Sequence, residues 1–307
     1  QLGSMPGTSY LPPPNADDGS NANQLRYEAY RTRANFVNFV GQTKEGMLGM
    51  VFRKGTSLDL DAGIDYMQEN ANGQGLSLEQ MIKATAADTL LVGRFGLLVD
   101  YPAMPQGLTA AQSAGLQASI LSYPAESIIN WRCETVDGLK RLSMVVLREP
   151  VEKVSDDGFE VEEVMYHRVL LIEDGVYIQR LYDEDDNLVI REEGGALLAD
   201  IVPRKADGST WSEIPFTFVG SINNDEAVDK APLYDIAEIN IAHYRNSADY
   251  EESSFMVGQP TPVFAGLTQS WVDQNMADGV AFGSRAAVLL PESGNAMLLQ
   301  AADNQMP

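Results

Sequence analysis

Between residues 123 and 218 the chain alternates polar and apolar side chains with a period of two. That is the period of a strand with one face buried, and no other feature narrows the possible folds as much. Five stretches carry it: SIINWRCE, LKRLSMVVLREPVEKV, EVEEVMYHRVLLIED, GVYIQRLYDE and NLVIREEG. The links between them are VDG, SDDG, EDG and DEDDN. Asp, Asn and Gly accept the backbone angles that tight hairpin turns need, so the expected arrangement is an antiparallel meander. Its outward face is acidic. Residues 151–200 hold fifteen acids and four bases, a net of -11 out of a whole-chain charge of -23.

The flanking regions follow a different period. Residues 1–24 are rich in Pro, Asn, Gly and Ser and read as an extended arm or linker. Tyr27, Tyr30, Ala34, Val37 and either Phe36 or Val40 fall near helical spacing, which predicts a helix over 25–43 and a second, shorter one over 44–52 after a kink at Gly41. Ser77 followed by Gln80 is a capping box that opens another helix, with Leu78, Met81, Ile82, Thr85, Asp88 or Thr89, and Val92 expected on its buried face. FGLLVDYP reads as a strand stopped by Pro102, and 109–121 as a small helix. IPFTFVG is a further strand, and a polar loop follows it.

Pro232 then opens a long helix over 233–256, ended by Gly258 and Pro260. At ~1.5 Å per residue it is about 36 Å long. Its core, INIAHYRNSADYEESSF, has aromatic and polar patches but no clean apolar stripe. Such a helix needs a neighbour of mixed character, and packing against other chains in a ring or tube would supply one. Short β segments follow: PTPVFAG, GVAFGSRAAVLL and AMLLQAAD. The expected fold class is α+β, with a mixed helical and antiparallel-sheet domain, a long helix and a small β module.

The 307 residues suffice for a sizeable core and about two domains. With 44% hydrophobic and 21% charged residues the chain is of the folded kind. A net charge of -23 argues against wrapping nucleic acid, which requires Lys and Arg on phosphates. It fits a passage along which DNA slides without sticking, and equally a protein kept apart by self-repulsion. The single cysteine, Cys133, allows no intrachain disulfide and suits a reducing compartment. No run of eighteen apolar residues and no secretory signal is visible.

Residues that could carry chemistry have bland readings. His167 in a strand and His243 in a helix do not form a metal cluster. Cys133 reads as a small buried hydrophobe. GRFG, residues 93–96, lacks the Lys-Ser/Thr of a phosphate loop and follows a helix, so it reads as a helix cap entering a strand. DLDAG and DEDDN lack the spacing of a calcium loop and read as solvated turns. Arg26, Arg31 and Arg33, interleaved with aromatics, are expected to pair with neighbouring acids. Among 44 acids no carboxylate pair is marked for hydrolysis. No catalytic residue, cofactor or metal is expected.

Several motifs, in order, resemble the portal proteins (head-to-tail connectors) of tailed bacteriophages. They are YLPPP, RYEAYRTRANFVNFVGQTKEGMLGMVFRK, ENANGQGLSLEQMIKATAADTLLVGRFGLLVDYP, SYPAESIINWR, IPFTFVG and APLYDIAEINIAHYRNSADYEESSFMVGQPTPVFAG. They span about residues 10–266. The resemblance implies a non-enzymatic subunit of a dodecameric ring at one capsid vertex. Double-stranded DNA would pass through the ring as cargo during packaging and ejection. The implied partners are copies of the chain, the large terminase subunit, capsid protein and head-tail adaptor proteins, with no membrane and no cofactor. The implied location is the portal vertex of the virion, assembled in the host cytoplasm.

Carried onto this chain, the resemblance gives an arm over 1–24, a wing over 25–231, a stem helix over 232–257 and a clip region over 258–307. A returning stem helix and a crown are expected beyond. Tyr244, Ala248 and Phe255 would be packing positions on the stem helix. Glu238, Arg245, Asp249 and Glu252 would face solvent, lumen or a neighbouring subunit. The runner-up readings are another non-enzymatic head-completion or adaptor protein of the virion and, behind it, an acidic hydrolase.

Overall fold

The computed structural model describes residues 10–101, 117–155, 158–193, 196–205, 208–258, 261–275 and 290–299. Its helices are α1 (Asn21–Arg33), α2 (Phe39–Val51), α3 (Leu78–Val92), α4 (Tyr234–Gly258) and α5 (Gln269–Asn275). Its strands are β1 (Arg94–Asp100), β2 (Ser119–Pro124), β3 (Ile128–Val136), β4 (Leu139–Val154), β5 (Val161–Glu173) and β6 (Val176–Tyr182), then β7 (Arg191–Glu193), β8 (Ala196–Leu198), β9 (Asp200–Ile201), β10 (Phe216–Gly220), β11 (Thr261–Ala265) and β12 (Asn295–Leu299). The fold is α+β with antiparallel sheets. It divides into two units, residues 39–237 and residues 1–38 together with 238–307. Among the described residues no helix is long and apolar enough to cross a membrane.

The unit of residues 39–237 is built on two sheets, one ordered β3-β4-β5-β6-β9 and one ordered β10-β1-β2. Alternation decides what each strand buries. Val145 and Leu147 of β4, Leu170 of β5 and Tyr177 of β6 form one cluster with Leu98 of β1, Tyr123 of β2, and Phe216 and Phe218 of β10. Gly96 permits that approach, because a Cβ there would lie 2.5 Å from the Phe216 ring and 2.9 Å from Ile128. Leu97 and Ile120, from alternate positions of β1 and β2, pack with Met67, Ala71 and Met81, so α3 and the short turn of helix Asp65–Gln68 cover the small sheet's other face.

The meander forms from β3 through β6, and its turns outside SDDG, whose residues 156–157 lie outside the described residues, use the expected chemistry. Asp137 with Gly138, and Asp174 with Gly175, all have positive φ, the signature of a two-residue I′ hairpin turn. DEDDN is a turn closed by Asp183, whose carboxylate accepts the backbone N–H groups of Asp185 and Asn187. The fifth predicted strand is not the next rung. After a single bridge from Tyr182 to Leu188, residues 191–193 pair with β8 in a separate ribbon, and β9 takes the place beside β6. A local turn, with Val189 N–H donating to the Leu181 carbonyl, diverts the chain before a full ladder forms.

Ser77 caps α3 as its sequence predicts, with both capping-box bonds present and Gly93 ending the helix at φ 77°. GRFG is therefore a helix cap running into β1. Only Met81 and Thr85 of the expected face are buried, while Ile82 and Val92 are exposed. The helix expected over 109–121 is corrected in part. Residues 109–116 lie outside the described residues, and 119–124 are β2, because Leu121 and Tyr123 pair along β1 opposite Leu98 and Gly96.

In the other unit the helix expected over 25–43 begins earlier, capped by Ser20, and ends at Ala34. The interruption falls at 34–38, not at Gly41, which lies inside α2. The long helix starts at Tyr234, two residues after Pro232. Beyond it, β11 and β12 pair as a small antiparallel ribbon, with α5 between them in sequence. Residues 279–289 of GVAFGSRAAVLL lie outside the described residues.

Candidate functional site

The residues singled out by sequence sit on α4, and its neighbour within the unit is the chain's own N-terminal segment. Ala248 is fully buried with Leu11 and Tyr30, and Tyr27, Ala34 and Tyr244 pack around them. The Phe36 ring meets Tyr244 edge-on, with centroids 5.6 Å apart. The spacing Ala248, Tyr244 and Asn240 is one residue per turn, so a single line along α4 meets the segment.

Polar contacts follow that line. The Tyr30 hydroxyl donates to Asp249 Oδ1 at 2.7 Å. The Arg245 Nε donates to the Tyr10 carbonyl at 2.8 Å, and the Tyr27 hydroxyl to the Leu11 carbonyl at 2.6 Å. Arg33 pairs with Glu252 and lies 4.3 Å over the Phe255 ring, while Arg26 approaches Glu252 at 3.8 Å. The break between α1 and α2 is held from α4 too. Asn240 Nδ2 donates to the Val37 carbonyl at 2.8 Å, and the Asn35 N–H donates to Ser247 Oγ at 3.2 Å. Two backbone groups freed by the break thus find side-chain partners on α4.

Burial and the adjacent Asp249 push the Tyr30 phenol well above its usual range. Burial likewise raises Tyr27.

Six of the seven candidates are therefore brought together on this surface: Tyr244, Arg245, Ala248, Asp249, Glu252 and Phe255. Glu238 is exposed, one position before the exposed Ile239. Arg26 and Arg33 do pair with an acid, but it is Glu252 of α4 and not a neighbour on their own helix, while the Arg31 guanidinium lies 5.9 Å from the Tyr27 ring centroid. Sequence reading missed Leu11 and Asn240. The buried Asn240, at 2% exposure, could have been flagged as a polar residue in line with Tyr244 and Ala248.

A second polar group lies in the two-sheet unit. Arg168 of β5 holds Glu149 through two bonds, Nε to Oε1 at 2.7 Å and Nη2 to Oε2 at 3.0 Å. Its Nη1 donates to Gln179 at 2.9 Å and lies 3.5 Å from Asp100. The Tyr123 hydroxyl donates to Glu149 Oε1 at 2.5 Å, and Gln179 Nε2 donates to the Tyr177 hydroxyl at 2.8 Å. Burial first, and Glu149 second, raise the Tyr123 phenol far above its normal range. A carboxylate with both oxygens committed to a guanidinium and a phenol is fixed in place, not poised to move a proton. His167 sits 3.3 Å from Asp186, Cys133 is half-buried, and His243 is on an exposed part of α4. Among the described residues no group of three or more His, Cys, Asp or Glu side chains could hold a metal ion.

Comparison with known families gives one match. Residues 232–307 match the model of a Domain of unknown function (DUF4055), an uncharacterised family often found in phage-associated proteins. No curated protein matches the chain.

Proposed function

We propose that this chain is a subunit of a bacteriophage portal. It would form a dodecameric ring at one capsid vertex, pass double-stranded DNA during packaging and ejection, and dock the terminase, capsid protein and head-tail adaptors. In this reading it performs no catalysis, and its place is the virion. The wing is residues 25–231, the stem helix 232–257 and the clip region 258–307.

The observation that carries the proposal is α4. It is 25 residues long and begins almost where the matched family segment begins. One line of the helix is taken by the chain's own N-terminal segment. Another line is exposed, with Ile239 68% and Tyr250 56% exposed and the exposed Asn246 between them. A long helix covered on one side and carrying large apolar groups on another suits a subunit that still has a neighbour to meet. The match to a family often found in phage-associated proteins and the ordered motif resemblance point the same way. The acidic balance suits DNA that must slide without being held.

The test is electron imaging of the longest form of the protein, with native mass spectrometry to count subunits. Closed rings with a central hole as wide as a DNA duplex, in which Ile239→Glu and Tyr250→Glu impair closure, are expected. A monomer under every assembly condition would overturn the reading.

A further inference from the structure

The β4–β5 hairpin outgrows its sheet. β3 pairs with β4 only as far as Leu147, and β6 pairs with β5 only back to His167. Beyond those points, residues 149–154 and 161–166 pair with each other alone. Register assigns the faces, because directly opposed residues share one. The pairs Val151 with Val164 and Lys153 with Glu162 lie on one face. Val164 is only 4% exposed, so that face turns towards its own unit.

The other face carries Pro150 with Met165, Glu152 with Glu163, and Val154 with Val161. All six are exposed, and Phe159 in the connecting turn is 89% exposed.

Two features of this outward face point to a partner. Its apolar rows, Val154 with Val161 and Pro150 with Met165, are separated by a row of two acids. Those acids, Glu152 and Glu163, stand directly opposite each other, an arrangement that destabilises a strand pair. The nearest base on the same face is Arg148, four positions from Glu152, or about 13 Å along the strand. Lys153 is on the opposite face and pairs with Glu184 at 3.4 Å. Among the described residues no ion pair offsets this row of like charges, which sits between two apolar rows.

We propose that this face docks a basic amphipathic helix of another protein, seating one Lys or Arg between Glu152 and Glu163 and apolar side chains on the rows to either side. Successive rows on one face of a strand are about 6.8 Å apart, and residues four apart on a helix rise about 6 Å, so an apolar–basic–apolar series at i, i+4 and i+8 matches the three rows. A second copy of the same ribbon is a poor occupant, since it would set acids against acids in a chain of net charge -23. The proposal stands on the ribbon alone and does not depend on the portal reading.

The probe is a labelled, helix-forming peptide with Leu, Arg and Leu at i, i+4 and i+8, and a control peptide with Glu in place of Arg. Both are titrated against the full chain by fluorescence anisotropy. The Arg peptide is expected to bind and the Glu peptide not to. Glu163→Lys should weaken binding by about tenfold or more, since it removes one close charge pair and adds a repulsion. The same Glu163→Lys chain should melt at a higher temperature than the parent when free, because Glu152 then faces a base. Val154→Ser with Val161→Ser should weaken binding while leaving its salt dependence in place. The proposal is overturned if the Arg peptide does not bind at millimolar concentration, or if the Glu peptide binds equally well. It is also overturned if Glu163→Lys leaves affinity unchanged, or if sedimentation shows self-association that depends on Val154 and Val161.

Discussion

The two units of this chain solve the burial problem in opposite ways. In residues 39–237, nine buried side chains from two sheets and Ile214 beside them make one apolar cluster, and the polar groups at its margin are locked to one another. Around α4 the buried cluster is three residues, Leu11, Tyr30 and Ala248, and much of the attachment is hydrogen bonds and ion pairs to exposed groups. Apolar burial scales with area and has no preferred direction, whereas the polar contacts require particular partners in particular places. The sheet unit should therefore tolerate loss of a surface contact and respond strongly to loss of a core ring. The α4 surface should be sensitive to shape and to single polar atoms.

The largest effect should come from Phe216→Ala. Its ring touches Phe218 and Tyr123 and fills the space over Gly96. Removing it should cost about 3–5 kcal/mol, read by chemical denaturation with Trp131 fluorescence as the reporter, since Trp131 packs on Phe218. A loss below about 1 kcal/mol would break the contrast, because it would mean the two-sheet core is not continuous.

Next is Glu149→Gln, which leaves the largely buried Arg168 guanidinium with only the more distant Asp100 carboxylate, 3.5 Å away. The expected cost is about 2–4 kcal/mol, below the full buried-pair value because both side chains keep some exposure. Arg168→Met added to Glu149→Gln should recover part of it, and a double-mutant cycle measures how much. The Tyr123 phenol, raised by burial and Glu149, gives a pH signature. Its folded pKa lies above its unfolded value of about 10, so its contribution is complete below pH 10 and is lost as pH rises through the folded value. Tyr123→Phe should flatten the alkaline limb of the stability profile.

The matched test on the other unit is Tyr30→Phe, which deletes the bond to Asp249 but keeps the ring. The cost should be about 1–2 kcal/mol. Ala248→Leu, which overfills the contact, should cost about 1–3 kcal/mol. Hydrogen exchange distinguishes the units. Both variants should speed exchange in 21–33 and 240–252 and leave 144–147 and 168–171 unchanged. Equal acceleration in both sets would mean that the two units unfold as one.

What could be read from sequence followed the strength of the local signals. The meander was legible because period-two alternation and Asp-Gly turns are both local. The capping box at Ser77 was legible for the same reason. The fifth strand misled, since NLVIREEG has strand composition but its pairing depends on a turn and on β9, eight or more residues away. Six of the seven α4 residues singled out for contacts with other subunits or a channel meet a segment of their own chain instead, one that lies more than 200 positions earlier. Nothing in INIAHYRNSADYEESSF identifies Leu11 or Tyr30 as the surface it meets, and the mixed polarity of the helix records only that its neighbour is mixed as well. The opposed Glu152 and Glu163 were invisible until the register was known, because both lie in a stretch that is acidic throughout.

The smallest predicted effect sharpens the comparison from the apolar side. Asp88 on α3 is a half-buried carboxylate whose pKa is raised, first by burial and then by Glu126, with Lys44 only partly offsetting them. The sheet unit therefore contains a charge it does not fully compensate, unlike the locked Glu149. A carboxyl whose folded pKa exceeds its unfolded one favours folding when protonated, so its ionised form opposes folding at neutral pH. Asp88→Asn should stabilise the chain at pH 7 by less than about 1 kcal/mol, given the solvent that still reaches the group. The gain should shrink as pH falls through the folded pKa and vanish below about 4, where the unfolded carboxyl is protonated too. Melting temperatures of parent and variant, measured in steps from pH 7 to pH 3.5, should converge at the acid end. A constant offset across the series would assign the gain to helix propensity or packing, and a loss at pH 7 would mean that Asp88 accepts a hydrogen bond whose value exceeds the cost of its burial.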